Sequence, residues 1–95
     1  MSPDKFKKLQ IIRKDLDKLD NKLINLISKR TKLVKKVLAL KEYKNQIVDK
    51  KRIKYILKEI RKKSIKKDID PKITYRIWKN MIYSYIDFER RNFKK

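Results

Sequence analysis

Apolar residues recur along the first forty residues at alternating steps of three and four, which is the spacing of one face of a long helix. They are Leu9, Ile12, Leu16, Leu19, Leu23, Leu26, Leu33, Val37 and Leu40, with a gap at one position of the series. Ser2, Pro3 and Asp4 supply an N-cap, a first-turn proline and a first-turn acid. The pattern predicts a helix over about residues 3–44, ended near Asn45, because Asn tolerates a left-handed C-cap.

Two shorter helices are predicted after it. Asp49 can cap a second helix of about residues 49–67, and Asp70 with Pro71 can open a third of about residues 70–93. The apolar faces consist of Ile53, Ile56, Leu57 and Ile60, then Ile77, Trp78, Met81, Ile82, Tyr85, Ile86 and Phe93. The chain has no Gly for tight hairpin turns, so strands are not expected. The prediction is all-α, with residues 1–95 as a single helical domain.

The length of the first helix predicts a partner. At about 1.5 Å per residue it extends for about 57 Å, whereas the other two would each measure about 25–35 Å. They cannot cover its apolar stripe. A second copy of the chain would cover the remainder in an intertwined two-fold homodimer. A loose coiled coil, or a break near the middle of the helix, is the alternative.

The composition narrows the functional classes. The 95 residues carry a net charge of +20, which would suit an anionic partner. However, 24 of the 31 cations are Lys, a bias that a genome rich in A and T also produces. No nucleic-acid partner is therefore predicted, and a nucleic-acid-binding helical module is kept as an alternative. Cys and His are absent, and no metal or cofactor is expected. The N-terminus lacks the apolar core of a signal peptide and no run would span a membrane, which predicts a cytoplasmic protein without a membrane partner.

The gap in the stripe is Arg30, which the pattern places facing inward. A buried cation is costly unless it meets an anion. Lys41 projects from the same face about 16 Å further on, and Arg13 lies about 25 Å before Arg30. An antiparallel partner centred near residues 23–24 would bring its Arg13 between Arg30 and Lys41, which gathers three cations into one anion-binding pocket. Alternatively, Arg13 and Lys41 are ordinary exposed cations and Arg30 reaches solvent along its aliphatic stem.

The same residues carry a resemblance to a known family. The segment IIRKDLDKLDNKLINLISKR of residues 11–30, then Lys41, then VDKKR of residues 48–52, resembles the all-helical chorismate mutases in order and spacing. The resemblance covers about residues 6–93. It implies an intertwined three-helix dimer that binds a small dicarboxylate and converts chorismate to prephenate for phenylalanine and tyrosine synthesis. That concerted rearrangement needs neither a nucleophile nor a proton transfer, in keeping with the absence of His and Cys.

The resemblance also implies individual roles. Arg13 would reach into the partner's site to hold one substrate carboxylate, and Arg30 would hold the other. Lys41 would contact the ether oxygen and a carboxylate, which makes Arg30 and Lys41 catalytic candidates. Asp49 and Arg52 would shape the rim of the pocket.

Three positions depart from the chorismate mutase pattern. Ile53 stands where a Glu that binds the substrate hydroxyl is usual. Tyr85 stands at the position of the family's usual polar residue on the third helix. Glu89 stands where the family has a glutamine that donates a hydrogen bond to the ether oxygen. The apolar Ile53 after Arg52, and an aromatic-Ile pair before the polar residue of the third helix, are more similar to the related isochorismate pyruvate lyases, which form salicylate. All three departures would also suit a non-catalytic relative that binds an aromatic precursor. Glu89 is the third catalytic candidate, and it can donate only when protonated, so activity should rise toward acidic pH. Otherwise it is a carboxylate paired with Lys41 or Arg90.

Overall fold

The computed structural model describes residues 1–94 and consists of three α-helices. They are α1 at Pro3–Leu40, α2 at Lys50–Lys66 and α3 at Pro71–Asn92, with a short 3₁₀ turn at Lys44–Gln46. No strand occurs in residues 1–94. The predicted all-α fold, with one long and two shorter helices, is confirmed. None of the helices described is long and apolar enough to cross a membrane.

The end of α1 lies four residues earlier than the pattern of apolar residues predicts. The side chain of Gln46 accepts hydrogen bonds from the backbone N–H groups of Glu42 at 2.8 Å and Tyr43 at 2.9 Å. These groups would point back into α1 if the helix continued. Asn45 is not a C-cap, since it lies inside the 3₁₀ turn. A side chain beyond the helix therefore sets its end.

Aspartate side chains begin the other two helices. Asp49 accepts from the Arg52 N–H at 3.0 Å, and Asp70 accepts from the Lys72 N–H at 2.9 Å with Pro71 at the first helical position. Each satisfies an N–H that the first helical turn leaves without a partner. Between α2 and α3 the chain turns through Asp68, whose φ of 61° is left-handed. Aspartate is among the few residues besides glycine that enter this region readily.

The chain divides into two compact units, Met1–Val34 and Lys35–Lys95. The first unit is helix throughout its length from Pro3 onward. None of the α1 residues is buried by the chain itself. Its exposed large apolar residues include Ile12, Leu16, Leu19, Leu23, Leu26 and Leu33. The apolar stripe of this unit is therefore uncovered.

The second unit contains the hydrophobic core, where α2 and α3 pack against each other. Ile47, Ile82 and Ile86 are at most 7% exposed, and Ile53, Ile56, Leu57, Val48 and Phe93 pack around them. Near the turn between α2 and α3, the buried hydroxyls of Ser64 and Thr74 lie 2.7 Å apart in a hydrogen bond. Because both hydroxyls are satisfied, this polar contact can be buried between the helices.

Candidate functional site

Two of the predicted catalytic residues meet in the second unit. Lys41 Nζ lies 3.2 Å from both carboxylate oxygens of Glu89. The two side chains are 17% and 8% exposed, respectively. A forked contact between an ammonium and a carboxylate is a charge-assisted hydrogen bond, among the stronger polar contacts in proteins. The structure therefore brings these residues together although 48 positions separate them in the sequence.

The helices explain this meeting. Glu89 lies three residues after Ile86 and seven after Ile82, so it continues the buried face of α3. Lys41 is the first residue after α1, and its Nζ also donates to the Ile47 carbonyl at 3.5 Å. Ile47 is itself fixed in the core at 4% exposure. The ammonium is thus held between a core carbonyl and a buried carboxylate.

Burial makes this ion pair different from the surface pairs. The Asp4–Lys8 and Asp87–Arg91 pairs have side chains at least 65% exposed, where an ion pair contributes only about 0–1 kcal/mol. A buried charge that loses its partner costs about 3–5 kcal/mol. Lys41 and Glu89 therefore depend on each other. An anionic ligand that binds Lys41 would compete with Glu89 for the same ammonium.

The residues at the start of α2 have contacts of a different kind. Asp49 is exposed and caps the helix, and Arg52 places its guanidinium carbon 5.4 Å from the centre of the Tyr55 ring. This distance allows a cation–π contact. Ile53 is half-buried and packs against the Ile47–Ile82–Ile86 core. The aliphatic side chain of Ile53 serves the core and offers a ligand no hydrogen bond.

The remaining predicted residues lie on two helices. Arg13 and Arg30 are on α1 in the Met1–Val34 unit, where Arg13 is exposed and Arg30 is half-buried. Tyr85 is half-buried on α3, one turn before Glu89. Arg30 and Tyr85 both make polar or ring contacts in the chain.

Sequence reasoning missed two residues that hold Lys41 in place. The Gln46 side chain accepts hydrogen bonds from the Glu42 and Tyr43 N–H groups, which fixes the backbone just after Lys41. The Ile47 carbonyl accepts a hydrogen bond from the Lys41 ammonium. The signal for Ile47 is weak, since it is an apolar residue between the helix end and the Asp49 cap. Backbone contacts such as these depend on the turn's path, which no residue type specifies by itself.

Comparison with known proteins agrees with the resemblance in the sequence. The chorismate mutase type II family matches residues 12–90, most of the chain. A chorismate mutase from Methanocaldococcus jannaschii is 40% identical over 81 residues, covering 81% of this chain and 79% of that protein. No solved structure gives a significant match. The matched region contains α2 and most of α1 and α3, including Lys41 and Glu89. The chain belongs to the chorismate mutase type II family.

Proposed function

We propose that this protein is a chorismate mutase that converts chorismate to prephenate. The observation that carries the proposal is the half-buried Lys41 ammonium, held beside the buried Glu89 in a chain of this family. A cation kept away from solvent can act on charge that develops in a reaction much more strongly than one in water. The proposal includes a cytoplasmic location and a place in phenylalanine and tyrosine synthesis.

The proposed chemistry is electrostatic and geometric. Chorismate is a dicarboxylate, and its rearrangement breaks an ether bond in one concerted step without a nucleophile. Lys41 donates to the ether oxygen and stabilises the negative charge that builds there, while Arg30 holds a carboxylate. Fixing both ends of the substrate favours its reactive shape over its extended shapes. Asp49 and Arg52 line the rim, and Tyr85 lies beside Glu89.

A second copy of the chain completes the proposed site. In the stripe on α1, the side chains of Leu16, Leu19 and Leu23 are more than half exposed. Contact of so much apolar surface with water is unfavourable in free energy unless another surface covers it. An antiparallel second α1 offers the same stripe in reverse and meets the requirement of two-fold symmetry. In that arrangement Arg13 of one copy lies at the level of residue 34 of the other, between Arg30 and Lys41. The homodimer thereby supplies the cation for the second carboxylate.

A second candidate reaction rests on Ile53. Its side chain packs on the core, so this position has no polar group for the hydroxyl of chorismate. The isochorismate pyruvate lyases lack that contact as well, and their substrate carries the hydroxyl elsewhere. Elimination of pyruvate from isochorismate, giving salicylate, is therefore the alternative activity.

Product analysis separates these reactions. Purified protein is incubated separately with chorismate and with isochorismate, and prephenate, salicylate and pyruvate are quantified. We expect prephenate from chorismate as the faster reaction. Salicylate with equimolar pyruvate as the faster reaction would replace the mutase by the lyase. No turnover of either substrate, from folded protein that binds them, would make the chain a binding protein.

Replacement by glutamine tests the role of Glu89. A carboxylate cannot donate a hydrogen bond to the ether oxygen, whereas a glutamine side chain can. Glu89 contacts Lys41 through both of its oxygens. We therefore expect Glu89→Gln to raise kcat, measured from initial rates at saturating chorismate.

Aspartate 87 provides the control for this experiment. It lies two residues before Glu89 on α3 but is exposed and paired with Arg91. Asp87→Asn removes the same charge without touching Lys41 and should leave kcat unchanged. A kcat of Glu89→Gln no higher than that of the unmodified enzyme would contradict the need for a hydrogen-bond donor at this position.

A further inference from the structure

A groove between α2 and the first turns of α3 has the size and the lining of a small-molecule binding site. It encloses about 440 Å³, within the roughly 300–1,000 Å³ typical of small-molecule pockets. Leu57, Ile60, Pro71 and Tyr75 give it an apolar lining, and Lys58, Arg61 and Lys72 add three cationic side chains. The apolar residues other than Tyr75 are half-buried, whereas the three cations are exposed. The groove thus joins an apolar surface to positive charge.

Positive charge outnumbers negative charge at the groove. Within residues 1–94, Lys58, Arg61 and Lys72 form no ion pair with an acidic side chain. Glu59 is paired with Lys62 at 3.7 Å, whereas the carboxylate of Asp70 accepts the backbone N–H of Lys72 and keeps its charge. Three cations against the one charge of Asp70 leave a net positive charge, which attracts an anion.

Tyr75 makes a flat ligand more suitable than a simple inorganic anion. Its ring is 47% exposed, and Lys79 Nζ lies 5.5 Å from the ring centre as a further cation. Aromatic rings pack favourably against one another in offset or edge-to-face arrangements. A planar aromatic group can therefore cover the apolar lining while its carboxylate meets the cations.

The groove is separate from the proposed active site and from the proposed dimer surface. Tyr75 precedes Glu89 by 14 residues, or about 21 Å along α3. The proposed dimer surface is the apolar stripe of α1, and none of the residues that line the groove lies on α1. We propose that this groove binds an aromatic carboxylate independently of the Lys41–Glu89 site.

Nuclear magnetic resonance titration with benzoate tests the proposal. The ¹⁵N-labelled full chain is titrated with benzoate, and the backbone amides of Leu57, Arg61 and Tyr75 are followed. We expect saturable shifts at these amides that persist in Lys41→Ala. Inorganic phosphate lacks a ring and can contact only the cations, whereas benzyl alcohol lacks a charge and can contact only the apolar lining. Each should therefore bind at least tenfold more weakly than benzoate.

Charge reversal at Arg61 provides the matched comparison. Arg61→Glu should raise the benzoate Kd at least tenfold, and Lys72→Glu offers a second variant on the other helix. Lys63→Glu makes the same charge change on α2 but faces about 200° away from Arg61 and should leave the Kd unchanged. Shifts that never saturate, shifts confined to the region of Glu89, or equal weakening by Lys63→Glu would overturn the proposal.

Discussion

Replacing Lys41 with alanine should lower kcat for chorismate by about 100-fold to 1,000-fold. This is the usual effect of removing one hydrogen-bond donor that points at negative charge developing in the transition state. The Lys41 side chain is 17% exposed and contacts Glu89, and nothing in the shortened side chain can replace its ammonium. Initial rates of prephenate formation give kcat and KM separately. We expect the larger change in kcat, because the charge on the ether oxygen develops in the transition state.

Two further variants make this result interpretable. Lys41→Ala alone leaves the Glu89 carboxylate buried without its partner, which costs about 3–5 kcal/mol of stability. The double variant Lys41→Ala with Glu89→Gln removes that charge, so it should fold more stably than Lys41→Ala and remain inactive. Lys44→Ala, in the exposed 3₁₀ turn, should keep normal activity. A folded double variant with nearly full kcat would contradict the role assigned to Lys41.

Replacing Leu23 with aspartate should dissociate the proposed dimer. Leu23 lies next to the predicted two-fold axis, so the dimer would hold two like charges, one from each chain, in the same apolar contact. Burying unpaired charge costs several kcal/mol, and about 4 kcal/mol corresponds to a roughly 1,000-fold higher Kd. We expect a concentration-dependent dimer for the unmodified protein and a monomer for Leu23→Asp. Sedimentation velocity measures both, and activity should disappear with the dimer.

The adjacent helical surface offers a control. Asn21→Asp adds the same charge two residues away, at a position outside the apolar stripe. It should leave both the molecular mass and the activity unchanged. Full activity from a monomeric Leu23→Asp protein would show that one chain forms the whole site, and would contradict the proposed contribution of Arg13.

The helices are predictable from sequence because their signals are local. The spacing of apolar residues marks α1, and the Asp49 and Asp70 caps bond within a few residues of their own helices. The end of α1 was misplaced by four residues because it depends on Gln46, whose side chain turns back on the chain. Hydrophobic spacing contains no information on such a bond.

The candidate site is predictable only in part. Lys41 and Glu89 were both expected there, the latter from its place on the inner face of α3. Their direct ion pair was one of two open alternatives, since periodicity fixes the face on which a side chain lies but not its partner. The Ile47 carbonyl could not be anticipated, because it is a backbone group placed by a turn. The contribution of Arg13 depends on a second chain and stays a prediction.

Mixing two inactive variants tests the central claim that the active site is built from two chains. Arg13→Ala and Lys41→Ala are unfolded together, refolded as an equimolar mixture, and assayed for prephenate formation. In a mixed dimer one site has Arg13 from one chain and Lys41 from the other, whereas the second site lacks both. Half of the dimers are mixed, so the account predicts about one quarter of the normal activity per site. Activity no greater than that of the separate variants would contradict a shared site.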